Sequence, residues 1–238
     1  MVLSNLKRGR NVEIFLWIII LVEIVGFISS YLQYDLIVMA QDGLGISQST
    51  ADSNDIRELI ITRVFAVTYI IAVVLFIMWF RRAYNNLNRM GVDTDYREGW
   101  AAGAWFVPFL NLYRPYQIMK ELYEKTYQKF QGRNNNFDVL RDINLVAMWW
   151  TLWILNNIIG QISSKISRSA ETLEQLINAT TVHMIYYVVG IISAFATVKV
   201  IRNYSAIEPL LVDMNDAEIV ADEIEEADSY QPNKIYLK

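Results

Sequence analysis

No cysteine occurs in this chain, so disulfide staples, thiolate metal sites and a cysteine nucleophile are excluded together. Histidine occurs once, as His183, without an HExxH spacing or thiol neighbours, which leaves no zinc constellation. GxSxG, P-loop and GxGxxG patterns are missing, so covalent hydrolysis and nucleotide handling have no motif support. Asp93, Asp95 and Glu98 group acids together but lack the ligand series of a calcium loop, and they read as a solvated turn. No metal, no cofactor and no catalytic residue is expected, nor, at a net charge of −4, a nucleic-acid partner. Charge itself is scarce, at 19% of residues, and only four prolines interrupt the chain.

Hydrophobic residues make up 54% of the 238, and the mean hydropathy of +0.22 is too high for an ordinary soluble domain. Four stretches are apolar for about 20 residues, the length that roughly 30 Å of hydrocarbon requires at about 1.5 Å per residue. They run near residues 12–31, 59–80, 143–163 and 183–201. Each is expected to be helical, because an open strand would leave backbone groups unpaired in lipid. The expectation is an all-α membrane protein with four transmembrane helices, comprising residues 1–207, followed by an acidic tail over 208–238. That tail carries nine acids against two lysines, a net −7, so the remainder is at +3. Its composition favours a flexible segment, although Leu211, Met214, Ile219, Val220 and Ile224 permit a short amphipathic helix at its start.

Lys7, Arg8 and Arg10 precede the first span, and the long middle connection carries ten arginines and lysines from Arg81 to Arg141. The first outer loop offers only Arg57 and the second only Lys165 and Arg168, so the positive-inside rule places both termini and the middle connection in the cytoplasm. A signal peptide is the competing reading of the N-terminus, but the apolar run is long and no A-x-A site follows it. Asn178-Ala179-Thr180 matches a glycosylation acceptor by chance.

The first and third spans share a pattern. LVEIVGFISS from Leu21 aligns with LNNIIGQISS from Leu155, pairing Gly26 with Gly160, and Arg82-Ala83-Tyr84 echoes Arg202-Asn203-Tyr204. The expectation is two duplicated hairpins related by an axis along the membrane normal, with the paired glycines allowing close backbone approach.

Between the second and third spans, RRAYNNLNRMGVDTDYREG reads as a turn-rich link. The run from Gly99 to Gln117 follows, strongly aromatic yet interrupted by Pro108, Asn111, Arg114 and Pro115. From Pro115, residues Tyr116, Met119, Tyr123 and Tyr127 share one helical face, with Lys120, Glu121, Glu124, Lys125 and Lys129 mostly opposite. A Glu121 to Lys125 pair is expected to add roughly 0.2 to 0.5 kcal/mol. The whole stretch, about residues 99–131, reads as an interfacial or re-entrant amphipathic segment on the inner leaflet.

Gly99, Trp100, Gly103, Trp105, Phe106, Val107, Pro108, Asn111, Leu112, Arg114, Pro115 and Tyr116 match a GW...G.WFVP..NL.RPY block. In that block the chain resembles the bacterial domain-of-unknown-function 4328 family, with Glu98 standing where the family more often has proline, and with the resemblance running from the first span to about Ile207. The resemblance implies a multi-pass protein of the bacterial inner membrane and brings no activity with it.

Two groups of residues are candidates for a site. Glu23 lies mid-span and must be neutralised or partnered, so a polar cluster with Asn156 and Asn157 is expected, as interhelical glue or as a proton or cation site. Arg82, Tyr84, Trp100, Trp105, Phe109, Arg114, Tyr116 and Arg202 form a surface at headgroup depth. There the arginines, like Lys199, read as snorkelling anchors, or as a converging site for an anionic headgroup. The distinctive residues sit on a membrane surface, not around a reactive centre. That points to a non-enzymatic sensor, scaffold or regulatory subunit whose partners are membrane lipids, a second copy, or a cytoplasmic protein bound through the acidic tail. The alternative is a small channel or transporter lined by Glu23, Asn156 and Asn157.

Overall fold

The computed structural model describes residues 2–130 and 139–229. Within them the chain forms helices and turns and no strand, in the order α1 (Leu6–Gln41), α2 (Gln48–Arg89), α3 (Trp100–Gly103), a 3-10 turn at Leu110–Leu112, α4 (Arg114–Lys129), α5 (Val139–Ser169) and α6 (Leu173–Ser229). Four of the helices, α1, α2, α5 and α6, are long and apolar enough to cross a membrane. Arg133, the end of the amphipathic stretch at residue 131 and the last residues of the tail lie outside the described residues, as does the side chain of Arg141.

All four long helices overrun their apolar cores. α2 does not break at the Asn-rich link but continues to Arg89, because the added turns bury Ala83, Tyr84, Asn86 and Leu87. That burial overrides a weak local preference for a turn. Its stop is a glycine cap: Gly91 takes φ 70° and the Val92 N–H bonds the Leu87 carbonyl at 3.1 Å, which occupies an otherwise orphan acceptor. At its other end the Ser47 hydroxyl accepts from the Thr50 N–H at 3.2 Å.

The long helices pack as α1 on α2, α1 on α6 and α5 on α6, leaving α2 and α5 as the two flanks of an open arc. The α1–α6 seam is the closest. Across it a Cβ on Gly26 would stand 2.5 Å from the Tyr187 ring, whereas across the α5–α6 seam one on Gly160 would stand 3.0 Å from the Tyr186 ring. Where a symmetric pair of hairpins would set α5 on α2 as tightly as α1 on α6, the aromatic connection fills the space instead. Trp105 lies between Phe76 and Phe80 of α2 and Trp150 and Trp153 of α5, at ring distances of 5.6 to 6.5 Å.

α6 is the second departure from expectation. The composition predicts a flexible tail from Glu208, yet the helix runs unbroken through Pro209 to Ser229. Leu211 and Met214 remain buried, while every described side chain from Asp216 to Glu225 is exposed. The side chain of Ile219 is not among those described.

Candidate functional site

The aromatic connection is built by a short helix, a turn and a 3-10 turn. Pro108 cannot donate to a helical ladder, and the chain reverses there: Phe109 takes φ 64° while the Leu110 N–H bonds the Pro108 carbonyl at 2.8 Å. A non-glycine residue in this region carries strain of about 1 to 3 kcal/mol. The strained residue is also the most exposed large apolar side chain of the loop, at 80%, followed by Phe106 at 75%. Leu112, Tyr113 and Trp100 are exposed beside them. The inward side is braced: the Trp150 Nε1–H donates to the Leu112 carbonyl at 3.1 Å, Tyr116 stacks on Trp150, and the Trp105 Nε1–H bonds Ala101 within the loop.

Directly beside this loop is a cavity of about 260 Å³ between the helices, lined by Glu23, Asn156, Gly190 and six aromatic rings. Glu23 is 2% exposed. Its Oε2 and the Asn156 Oδ1 have no hydrogen-bond partner. A charge at this depth costs about 2.5 to 3.5 kcal/mol on insertion scales, so an unpartnered carboxyl is an unusual thing to keep there. Gly190 makes room for it, since a Cβ at that position would collide with the carboxylate. Of the expected polar cluster, Glu23 and Asn156 face the same cavity. Asn157 does not: it donates to the Trp153 carbonyl one turn back in its own helix, at 2.8 Å.

α4 is a tie among helix ends. Met119, Tyr123 and Tyr127, of the face expected to rest on the membrane, are buried in protein together with Ile118 and Leu122. Tyr84 and Tyr204, the echoed tyrosines of α2 and α6, both reach α4: the Tyr84 hydroxyl donates to Glu121 at 2.6 Å, and Tyr204 bonds Thr126 at 3.2 Å. Tyr123 donates to the Val200 carbonyl at 3.0 Å, and Tyr127 donates to Asp142 of α5. The expected Glu121 to Lys125 pair is absent from this arrangement, because Glu121 turns inward and accepts from the Asp95 N–H as well, at 2.6 Å. Lys125 pairs with Asp95 and Lys120 with Glu124 instead.

Burial pushes the Glu121 carboxyl above the ordinary glutamate value, against the hydrogen bonds from Tyr84 and Asp95 that favour its charged form. An acid raised in this way stabilises most fully below its unfolded value, and that contribution fades as pH rises through the folded one. Hydrogen exchange in residues 114–129 should therefore be slower in mild acid than at neutral pH by a few-fold beyond the intrinsic change, and Glu121→Gln should flatten that difference. An unchanged difference in the variant would assign the effect to another group.

The arginines do not converge. Arg202 pairs with Glu13 and lies 5.7 Å from the Trp17 ring centre, whereas Arg114 lies 4.5 Å over Tyr96. Arg82 lies within the electrostatic reach of Arg8, Arg89 and Glu208. Lys199 is exposed, and His183 stacks on Tyr187 at 4.7 Å. Three buried acids escaped the sequence reading: Glu121, Asp142 and Glu208, the last accepting from Asn86 at 2.7 Å. Their only sequence signal is position, since each lies on a helix face that continues an apolar one. Asp93 and Glu98 stay near the surface, and Glu98 pairs with Arg81 at 3.5 Å. Among the described residues no three acids or histidines stand together as metal ligands.

Four long apolar helices joined by a tightly tied middle segment define an all-helical, multi-pass membrane protein. The chain belongs to the family described as Domain of unknown function (DUF4328), whose match covers residues 42–206. The match opens in the loop after α1, so the first helix and Glu23 lie outside it, a later start than the first span expected from the sequence. No curated protein and no solved structure matches the chain.

Proposed function

We propose that the protein is a non-enzymatic sensor or scaffold of the inner leaflet, with the aromatic connection as its working part. One observation carries this reading: Trp105 is wedged between Phe76 and Trp153, both inside the apolar spans, while Phe109 and most of Phe106 stay exposed. A segment anchored at that depth is re-entrant, with its exposed rings immersed in lipid at a level suited to amphipathic aromatics. The excess of lysine and arginine on the middle connection and the N-terminus supports a cytoplasmic location for both termini, in a bacterial inner membrane. The shared tyrosine contacts of Tyr84 and Tyr204 on α4 support descent of the two hairpins from one ancestral hairpin. The exposed acidic end of α6 is the surface for a soluble partner.

A cysteine-free chain allows a single nitroxide to be placed by Phe109→Cys. In nanodiscs, relaxation of that label should respond to dissolved oxygen far more than to a water-soluble nickel chelate, and liposomes should show no ion or proton flux. A label open to the nickel chelate would overturn the re-entrant reading. Flux abolished by Glu23→Gln would replace it with the channel or transporter reading.

A further inference from the structure

The cavity beside Glu23 has a chemistry of its own. Its two orphan polar atoms, Glu23 Oε2 and Asn156 Oδ1, are both acceptors, and no lysine, arginine or histidine lines the space. The hydroxyl of Thr197, which also borders it, is already engaged, donating to the Ser193 carbonyl at 2.8 Å and accepting from the Trp149 Nε1–H at 3.1 Å. An occupant that brings donors would satisfy both orphan acceptors, and a primary ammonium brings three. Tyr69, Phe76, Trp105, Phe106, Trp149 and Trp153 supply the rest of the wall, and the faces of such rings attract cations.

Size and access agree with this. An apolar cavity of about 150 Å³ accepts benzene, so 260 Å³ takes a larger, compact body. Phe106 borders the cavity and is 75% exposed, which sets an opening on the side where α2 and α5 fail to close against each other. We infer that the cleft between α2 and α5 is a binding site for a compact lipophilic amine, its protonated nitrogen held by Glu23 and Asn156 and its apolar body caged by the aromatic wall. The site does not depend on the membrane-surface role proposed above, and the two stand or fall on different measurements.

The test uses the full chain in phosphatidylcholine nanodiscs, with 1-adamantylamine as probe and its uncharged isostere 1-methyladamantane as comparison. Empty nanodiscs correct for partitioning. Tryptophan emission reads occupancy, since Trp105, Trp149 and Trp153 face the cavity. Saturable binding of the amine is expected, weakened about tenfold or more in Glu23→Gln and for the isostere. Ala194→Leu, which fills the cavity from a buried position while leaving Glu23 in place, should abolish binding and retain the helical circular-dichroism signal. Equal binding of amine and isostere, binding unaffected by both variants, or a response that never saturates would each overturn the inference. Should Glu23→Gln fail to fold, the isostere and Ala194→Leu decide the matter in the same way.

Discussion

Trp105→Ala should lower the unfolding free energy in mixed micelles by about 3 kcal/mol, the lower end of the range for removing a large core ring, because Trp105 is half-buried. The size of the effect follows from where the ring sits. It touches four others on two helices, Phe76 and Phe80 on one side and Trp150 and Trp153 on the other. α2 and α5 meet directly through little more than Phe76 against Trp149, at 5.9 Å. Without Trp105 the loop loses its grip on both helices and the gap between them stays open. Proteolysis between residues 100 and 113 should accelerate along with the loss of stability. Trp105→Phe, which keeps a ring in place, should cost about 1 kcal/mol, near the value of one aromatic pair. A midpoint unmoved by Trp105→Ala would mean that the connection rests beside the bundle without holding it.

The second large effect is expected at Gly26. Overpacking a close seam costs about 1 to 3 kcal/mol, sometimes more, and Gly26→Leu should lie at the top of that range. Tyr187 is buried and stacked on His183 at 4.7 Å, so it has no free space into which to withdraw. The matching change Gly160→Leu should be milder, because the facing Tyr186 is only half-buried and stands farther away, at 3.0 Å. A disulfide introduced across the α1–α6 seam would report the same difference, forming readily in the parent and in the Gly160 variant but slowly in the Gly26 variant. Equal destabilisation by both substitutions would remove the distinction drawn between the two seams.

Much of the architecture is legible in residue order, because a bilayer leaves few choices. A run such as residues 59–80 has to become a helix, and its length is set by the solvent around it. The excess of exposed rings over Gly99 to Tyr113 is visible for the same reason, since apolar residues interrupted by Pro108 fit neither a span nor a soluble core. What escapes the sequence is decided by tertiary contact. The Asn-rich end of α2 has turn chemistry, yet burial of Tyr84 and Leu87 keeps it helical. Glu121 reads as a surface charge until Tyr84 and the Asp95 amide turn it inward. The three arginines carry like charges at similar depth, but Glu13 and Tyr96 draw two of them apart. Asn157 satisfies itself within its own helix, and so leaves Asn156 alone with Glu23, a difference of one residue that only the helix rotation decides.

Pro209 has one further consequence. It cannot donate to the Ser205 carbonyl, so one rung of α6 is missing between one and two turns before the helix leaves the bundle past Met214. The 21 residues from Pro209 to Ser229 form a stiff arm about 30 Å long at about 1.5 Å per residue. A swing of about 10° at that weakened rung carries the far tip through about 5 Å, so a small rearrangement among the buried helix ends would be delivered outward as a much larger mechanical stroke.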